Sequence, residues 1–173
     1  MLFKLTGSII VIVSCSFLGL ILSRDCKKRP TQLRELQGIL QMFENQITYL
    51  SDIIADAFER ISKIGGSDTC VFFTRAVEIL RKNKAISASE GWSQAVEQCI
   101  CRTALNKEDE EILMAFGRML GSTDLDGQIK NIRLTIGQLR LQEDKAEESR
   151  RKNENMYKSL GVLGGIAVVI VLL

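Results

Sequence analysis

At 173 residues, with 23 Lys and Arg set against 21 Asp and Glu, the chain carries a formal net charge of +2, too close to balance to mark a nucleic-acid partner. It has no His and one Pro, which removes the commonest general base and the commonest transition-metal ligand together. Alternating β-branched runs bounded by turns are missing from the middle region, so the expected class is all-α.

The first element is apolar. Leu5 to Leu22, "LTGSIIVIVSCSFLGLIL", is uncharged over the length of a hydrocarbon-spanning helix and ends abruptly in "SRDCKKRP". A cleaved signal peptide would share the basic start at Lys4, and "IVSC" before Ser16 faintly resembles a lipoprotein box. No small-x-small cleavage site precedes the charged cluster, however, and the apolar run continues through "SFLGLIL". Residues 1–23 therefore read as an N-terminal transmembrane helix.

Pro30 suits the first turn of a helix whose Leu33, Leu36, Leu40, Phe43, Ile47 and Leu50 alternate at spacings of three and four. Ile53, Ile54, Ala57, Phe58 and Ile61 suggest a second helix, stopped by the "GGSD" of Gly65 to Asp68. Phe72, Ala76, Ile79 and Leu80 line a third. Ser87 with Glu90 has the spacing of a capping box, opening a fourth helix with Trp92, Ala95, Val96, Cys99 and Ile100 on its apolar side.

Asn106 with Asp109 opens a fifth, whose early acids suit a helix N-terminus and whose Ile112, Leu113, Phe116, Met119 and Leu120 are expected to face inward. After Gly121 stops it, Ser122 or Thr123 caps the last helix, with the heptad stripe Leu125, Ile129, Ile132, Ile136 and Leu139. Each helix is too short to be stable alone in water, so the set must bury these stripes in a compact bundle spanning 24–158.

The last helix contains no Pro and can run into the apolar tail "LGVLGGIAVVIVLL", so residues 159–173 are expected to form a C-terminal transmembrane helix if it stands nearly upright. Gly161 and Gly165 have the small-xxx-small spacing of a membrane helix contact, which admits a homo-oligomer; glycine is also simply more tolerated in membrane helices.

Cations flank both spans on the bundle side: Arg24, Lys27, Lys28, Arg29 and Arg34 after the first, and Lys145, Arg150, Arg151, Lys152 and Lys158 before the second. The positive-inside rule then places the bundle in the cytoplasm. The five cysteines agree, being odd in number and without framework spacing, as free thiols in a reducing compartment are. Arg24, Lys27, Lys28, Arg29, Arg150, Arg151 and Lys152 are expected to face the membrane, where each near-surface charge contributes about 1 kcal/mol against anionic headgroups.

Chemistry is hard to assemble from what remains. Cys99-Ile100-Cys101 is half of a soft-metal site with no second pair. Glu108, Asp109, Glu110 and Glu111 read as a solvated helix N-terminus, and "GGIAVV" lacks the lysine of a phosphate loop. No catalytic residue, metal, cofactor, nucleic acid or small-molecule substrate is therefore expected. The turn at Gly121, Ser122, Thr123, Asp124 and Gln128 lies at the end of the last helix away from the membrane, and reads either as a partner-binding tip or as a stop and cap alone.

Three motifs in combination resemble the stage III sporulation AB family of endospore-forming bacteria: "RPTQLRELQGILQMFENQITY", "LGSTDLDGQ" and "MYKSLGVLGGIAVVIVLL". One stretch departs from that resemblance, "FENQI" at Phe43 to Ile47, where a more acidic, leucine-rich sequence is expected. The family is similar to the cytoplasmic helical domains of the platform protein in type II secretion and type IV pilus systems. The resemblance implies a six-helix bundle in the mother-cell membrane around the forespore. There it would be a non-enzymatic scaffold for a cytoplasmic ATPase and other sporulation channel proteins, with membrane lipids as further partners. The alternative is an oligomerising membrane anchor with no ATPase-binding role.

Overall fold

In a computed structural model of the chain the backbone is described at residues 27–48, 54–64, 68–83 and 85–172, with side chains at all of these except 55, 64, 155, 157–158 and 160–172. Six α-helices occupy the described residues, without a strand: α1 at 27–48, α2 Ile54–Ile64, α3 Val71–Lys82, α4 Ala88–Cys99, α5 Lys107–Arg118 and α6 Leu125–Leu172. Short 3-10 turns, Asp68–Cys70 and Ile100–Arg102, lead into α3 and out of α4.

Local signals set most of these boundaries. In the capping box of α4 the Glu90 amide donates to Ser87 Oγ at 3.2 Å, and the Ser87 amide donates to Glu90 Oε2 at 2.9 Å. Asn106 and Asp109 make the same reciprocal pair at α5, at 3.0 and 2.9 Å. These bonds satisfy amides that the first turn leaves without intrahelical partners. Gly121 holds φ at +74°, a left-handed conformation that only glycine adopts without strain, and it turns the chain from α5 toward α6.

The chain divides into two units. One, Arg29–Asp144, holds the helical core. Within it α3 packs on α2 and α4, and α4 packs on α5. Phe43, Phe58, Phe73, Trp92 and Phe116, one ring from each of the first five helices, form a single aromatic cluster. Trp92 stands edge-on to Phe73 at 4.9 Å and to Phe116 at 5.2 Å between centroids, the geometry ring quadrupoles favour. Its buried indole N–H donates to the Leu113 carbonyl at 2.8 Å.

Two close approaches make this packing depend on glycine. A Cβ at Gly91 would stand 2.8 Å from Leu80 Cδ2, and one at Gly117 would run into the Trp92 ring. Within the same unit α1 and α6 are joined by Arg133 to Glu44 at 2.7 Å and Arg34 to Glu143 at 2.6 Å.

The other unit, Met1–Lys28 with Lys145–Leu173, contains the distal part of α6. There Arg150 is paired with both Glu147 and Glu154, and Lys152 with Glu148, at helical spacings of three or four. Among the described residues no helix is long and apolar enough to cross a membrane. The expected span at 1–23 lies outside the described residues. So do nearly all the side chains of the expected span at 159–173, whose backbone is helical through Leu172.

The stripe expected on α6 is only half right. Ile132 and Leu139 are buried, but Ile129 and Ile136 are half-buried and Leu125 is exposed. The buried face is completed by Gln128, Asn131, Thr135 and Gln142. Polar side chains can line it because their donors find partners: Asn131 Nδ2 donates to the Phe116 carbonyl, Thr135 Oγ1 to the Asn131 carbonyl, Gln142 Nε2 to Glu108 Oε2 and Gln128 Nε2 to the Met119 carbonyl. Gln128 Oε1 is buried without a hydrogen-bond partner among the described residues.

Candidate functional site: the α5–α6 turn and the basic residues

The turn between α5 and α6 is built from the orphan groups of two helix ends. The last carbonyls of α5 lie beyond the regular helical ladder and accept from the tightened last turn and the loop, Met119 N–H to Phe116 O at 3.3 Å and Ser122 Oγ to Met119 O at 3.0 Å. α6 adds a second donor to each, Asn131 Nδ2 to Phe116 O at 3.1 Å and Gln128 Nε2 to Met119 O at 2.8 Å. Gln128 Nε2 also donates to Thr123 Oγ1 at 2.9 Å. At the start of α6, Asp124 Oδ1 accepts from the Gly127 amide at 3.0 Å, so Asp124 is the cap and not Ser122 or Thr123, because the helix begins at Leu125.

The five residues of the expected partner-binding tip are thereby separated. Gly121, Ser122, Thr123 and Asp124 are exposed, whereas Gln128 is only 4% exposed and points inward. Gln128 positions the turn from beneath. Two apolar side chains take its place on the surface: Met119, expected in the core, is 40% exposed, and Leu125 is 45% exposed. Both flank the turn, so what this end of the unit presents is a polar loop between two hydrophobic side chains.

The sequence comparisons converge on one assignment. The stage III sporulation protein AB family model matches residues 4–173. The chain belongs to that family. The stage III sporulation protein AB of Bacillus subtilis (strain 168) is 31% identical over 170 residues, 98% of this chain and 99% of the relative. A solved structure of stage III sporulation protein AB superposes with a TM-score of 0.67 at 30% identity, over 72% of this chain and 98% of that one. A role in sporulation and a helical bundle follow from this membership; the relatives bear the name of sporulation proteins, not of enzymes.

The basic residues of this family member do not form one free face. Arg29, expected to meet headgroups, is turned to Asp109: its Nε donates to Oδ2 at 2.8 Å and its Nη2 to Oδ1 at 2.9 Å, with a third bond from Nη2 to Gln142 Oε1 at 3.1 Å. The forked geometry is what guanidinium and carboxylate planes allow together. Asp109, read from the sequence as solvated, is fully buried. It serves the α5 capping box and the ion pair at once, joining α1, α5 and α6.

Arg150 is likewise held by Glu147 and Glu154, and the hydrogen bond it donates to Glu147 raises its pKa further above the usual arginine value. Lys27, Lys28, Arg151 and Lys152 are exposed. Lys152 pairs with Glu148, whose carboxyl is held below the usual carboxylate range by the hydrogen bond and charge of that lysine. Arg24 lies outside the described residues. Among the described residues no group of three or more His, Cys, Asp or Glu is arranged to hold a metal.

The ion pair between the partly exposed Arg29 and the buried Asp109 is not legible in the sequence. Its one visible signal was an aspartate serving as the acid of a capping box directly ahead of an apolar stripe. Spacing showed the cap and could not show that a residue 80 positions earlier lies against it.

Proposed function

We propose that this chain is a non-enzymatic, membrane-anchored scaffold in the secretion-like channel between mother cell and forespore, and that the α5–α6 turn is its docking point for a cytoplasmic ATPase of the same complex. Membership of the sporulation family supports the setting. The observation that carries the docking role is the exposure of Met119 and Leu125 on either side of the polar loop Gly121 to Asp124. Apolar side chains ringed by polar residues are the usual make-up of an interaction site.

The anchoring part of the reading rests on the two apolar ends and on the cations beside them. The mother-cell membrane around the forespore is the place it implies. Lys27, Lys28, Arg151 and Lys152 are the cations in position to meet anionic headgroups. An ion pair as exposed as Lys152 with Glu148 contributes little and gives way to a lipid phosphate at small cost. The relation to the platform proteins of type II secretion and type IV pili belongs to the same proposal. The glycines at 161 and 165 support self-association in the membrane as a second property of the anchor.

The test replaces the side chains that face outward and spares Gln128. Full-length tagged protein is expressed in sporulating cells lacking the native copy, membranes are solubilised gently, and wild type is compared with Met119→Ser, Leu125→Ser. The expected outcome is that the ATPase co-purifies with wild type alone, and that heat-resistant spores fall at least tenfold while the variant accumulates normally in the membrane. Equal recovery of the ATPase with both proteins overturns the docking role; recovery of wild type in the soluble fraction overturns the anchor.

A further inference from the structure

Away from the α5–α6 turn, a cleft of about 250 Å³ opens between α3 and the end of α4, lined by Val71, Thr74, Arg75, Glu78, Gln98, Cys99 and Arg102. Its polar groups are mostly donors. Arg75 is clamped in place, with Nε donating to Gln98 Oε1 and Nη1 donating to Glu78 Oε2, each at 2.7 Å. These bonds leave Nη2 and the second hydrogen of Nη1 for another acceptor.

Arg102, on the 3-10 turn after α4, makes no hydrogen bond or ion pair among the described residues. The Gln98 amide contributes a further donor. The floor is the buried Cys99 thiol: burial pushes its pKa up, and the nearby charges of Arg102 and Arg75 pull in the opposite direction without overcoming it. Cys99 therefore lines the cleft as a neutral, compact side chain.

We propose that this cleft binds a small oxyanion, a phosphoryl or carboxylate group on a compact molecule, between the guanidinium groups of Arg75 and Arg102. Three features support it. Two guanidiniums face one carboxylate, so the lining keeps a net positive charge. A guanidinium already oriented by Gln98 and Glu78 loses little freedom on accepting a ligand, which favours affinity. The volume is slightly below the range of drug-sized pockets and suits a compact anion. The ligand is bound and not transformed: the one carboxylate, Glu78, is committed to Arg75, the Thr74 hydroxyl donates to the Cys70 carbonyl, and the Cys99 thiol is buried.

Thermal unfolding of the full-length protein in a neutral detergent, followed by Trp92 fluorescence, tests the site with inorganic phosphate and with acetate at constant ionic strength. A ligand bound only by the folded state raises the midpoint saturably with concentration. The expected result is such a rise with one or both anions. Phosphate alone assigns the cleft to phosphoryl groups, and a response to acetate as well extends it to carboxylates.

Arg102→Gln should weaken the apparent affinity at least tenfold, and Glu78→Gln, which removes the competing carboxylate, should tighten it. Because the two changes act in opposite directions, general loss of folding cannot imitate the pattern. A non-saturating rise of equal size in wild type and Arg102→Gln, as exclusion of phosphate from the surface would give, overturns the proposal. So does the absence of any rise.

Discussion

Replacing Gly117 by Ala tests the packing account most sharply, because intrinsic helix propensity and tertiary contact oppose each other. On propensity alone the change, at the penultimate residue of α5, favours folding by at most about 1 kcal/mol. The added Cβ, however, would run into the ring of Trp92. That ring is fully buried within a cluster of five aromatic side chains and tied to the Leu113 carbonyl, so moving it disturbs both the ring contacts and the hydrogen bond.

Overpacking costs about 1 to 3 kcal/mol. Displacing the indole leaves its buried N–H and the carbonyl mismatched, at about 1 to 2 kcal/mol more. Less the propensity gain, the net is a destabilisation of about 1 to 4 kcal/mol. For a chain of this size that lowers the melting midpoint by roughly 2 to 4 °C per kcal/mol.

Gly137→Ala is the internal comparison, since nothing stands within 4 Å of a Cβ built there. It should raise stability by about 0.5 to 1 kcal/mol. Fluorescence of the single Trp, followed through urea and thermal unfolding, reads both. If Gly117→Ala is as stable as wild type, or shifts in the same direction as Gly137→Ala, the close approach of α5 to Trp92 is not what holds these helices together.

Three further outcomes follow from named contacts. Arg29→Ala, which leaves the fully buried Asp109 without its guanidinium, should destabilise by about 2 to 5 kcal/mol. Asp109→Ala, which leaves a partly exposed Arg29 but also removes the α5 capping acid, should destabilise by about 1 to 4 kcal/mol. The double variant should cost at least 1 kcal/mol less than the sum; additivity within about 0.5 kcal/mol would show the two to be uncoupled. Gln128→Ala should lower stability by about 1 to 2 kcal/mol through lost bonds to Met119 O and Thr123 Oγ1. Ser122→Ala, on the exposed loop, should leave it nearly unchanged; an equal effect at both positions would place Gln128 on the surface.

The Glu59 carboxyl is held below its ordinary value of 4.5 by hydrogen bonds from Lys63 and Arg81 and by their charges. A depressed carboxyl contributes stability above pH 4.5, and that contribution is lost as pH falls through the lower folded value. Wild type should therefore lose stability relative to Glu59→Gln as the pH is taken below 4.5, in chemical unfolding measured at stepped pH. Parallel curves would show that the α2–α3 ion pair contributes nothing.

How much of this molecule could be read from its residues depended on the range of the forces involved. Helix ends are decided within about one turn, so Ser87 with Glu90, Asn106 with Asp109 and the left-handed Gly121 mark them without reference to the rest of the chain. The apolar stripes of α1 to α4 were legible for a related reason: residues such as Leu36, Phe58, Ala76 and Trp92 gain from burial whatever they are packed against.

Only the tertiary structure decided the orientation of α6 and the surface of its turn. Asn131 and Gln128 each add a bond to a carbonyl at the end of α5, which goes with a polar strip facing inward and Leu125 left exposed. Asp109 became a buried partner of Arg29 for the same kind of reason. Hydrogen bonds and ion pairs between residues far apart in the chain depend on which groups the fold brings together, and a one-dimensional pattern carries no record of those distances.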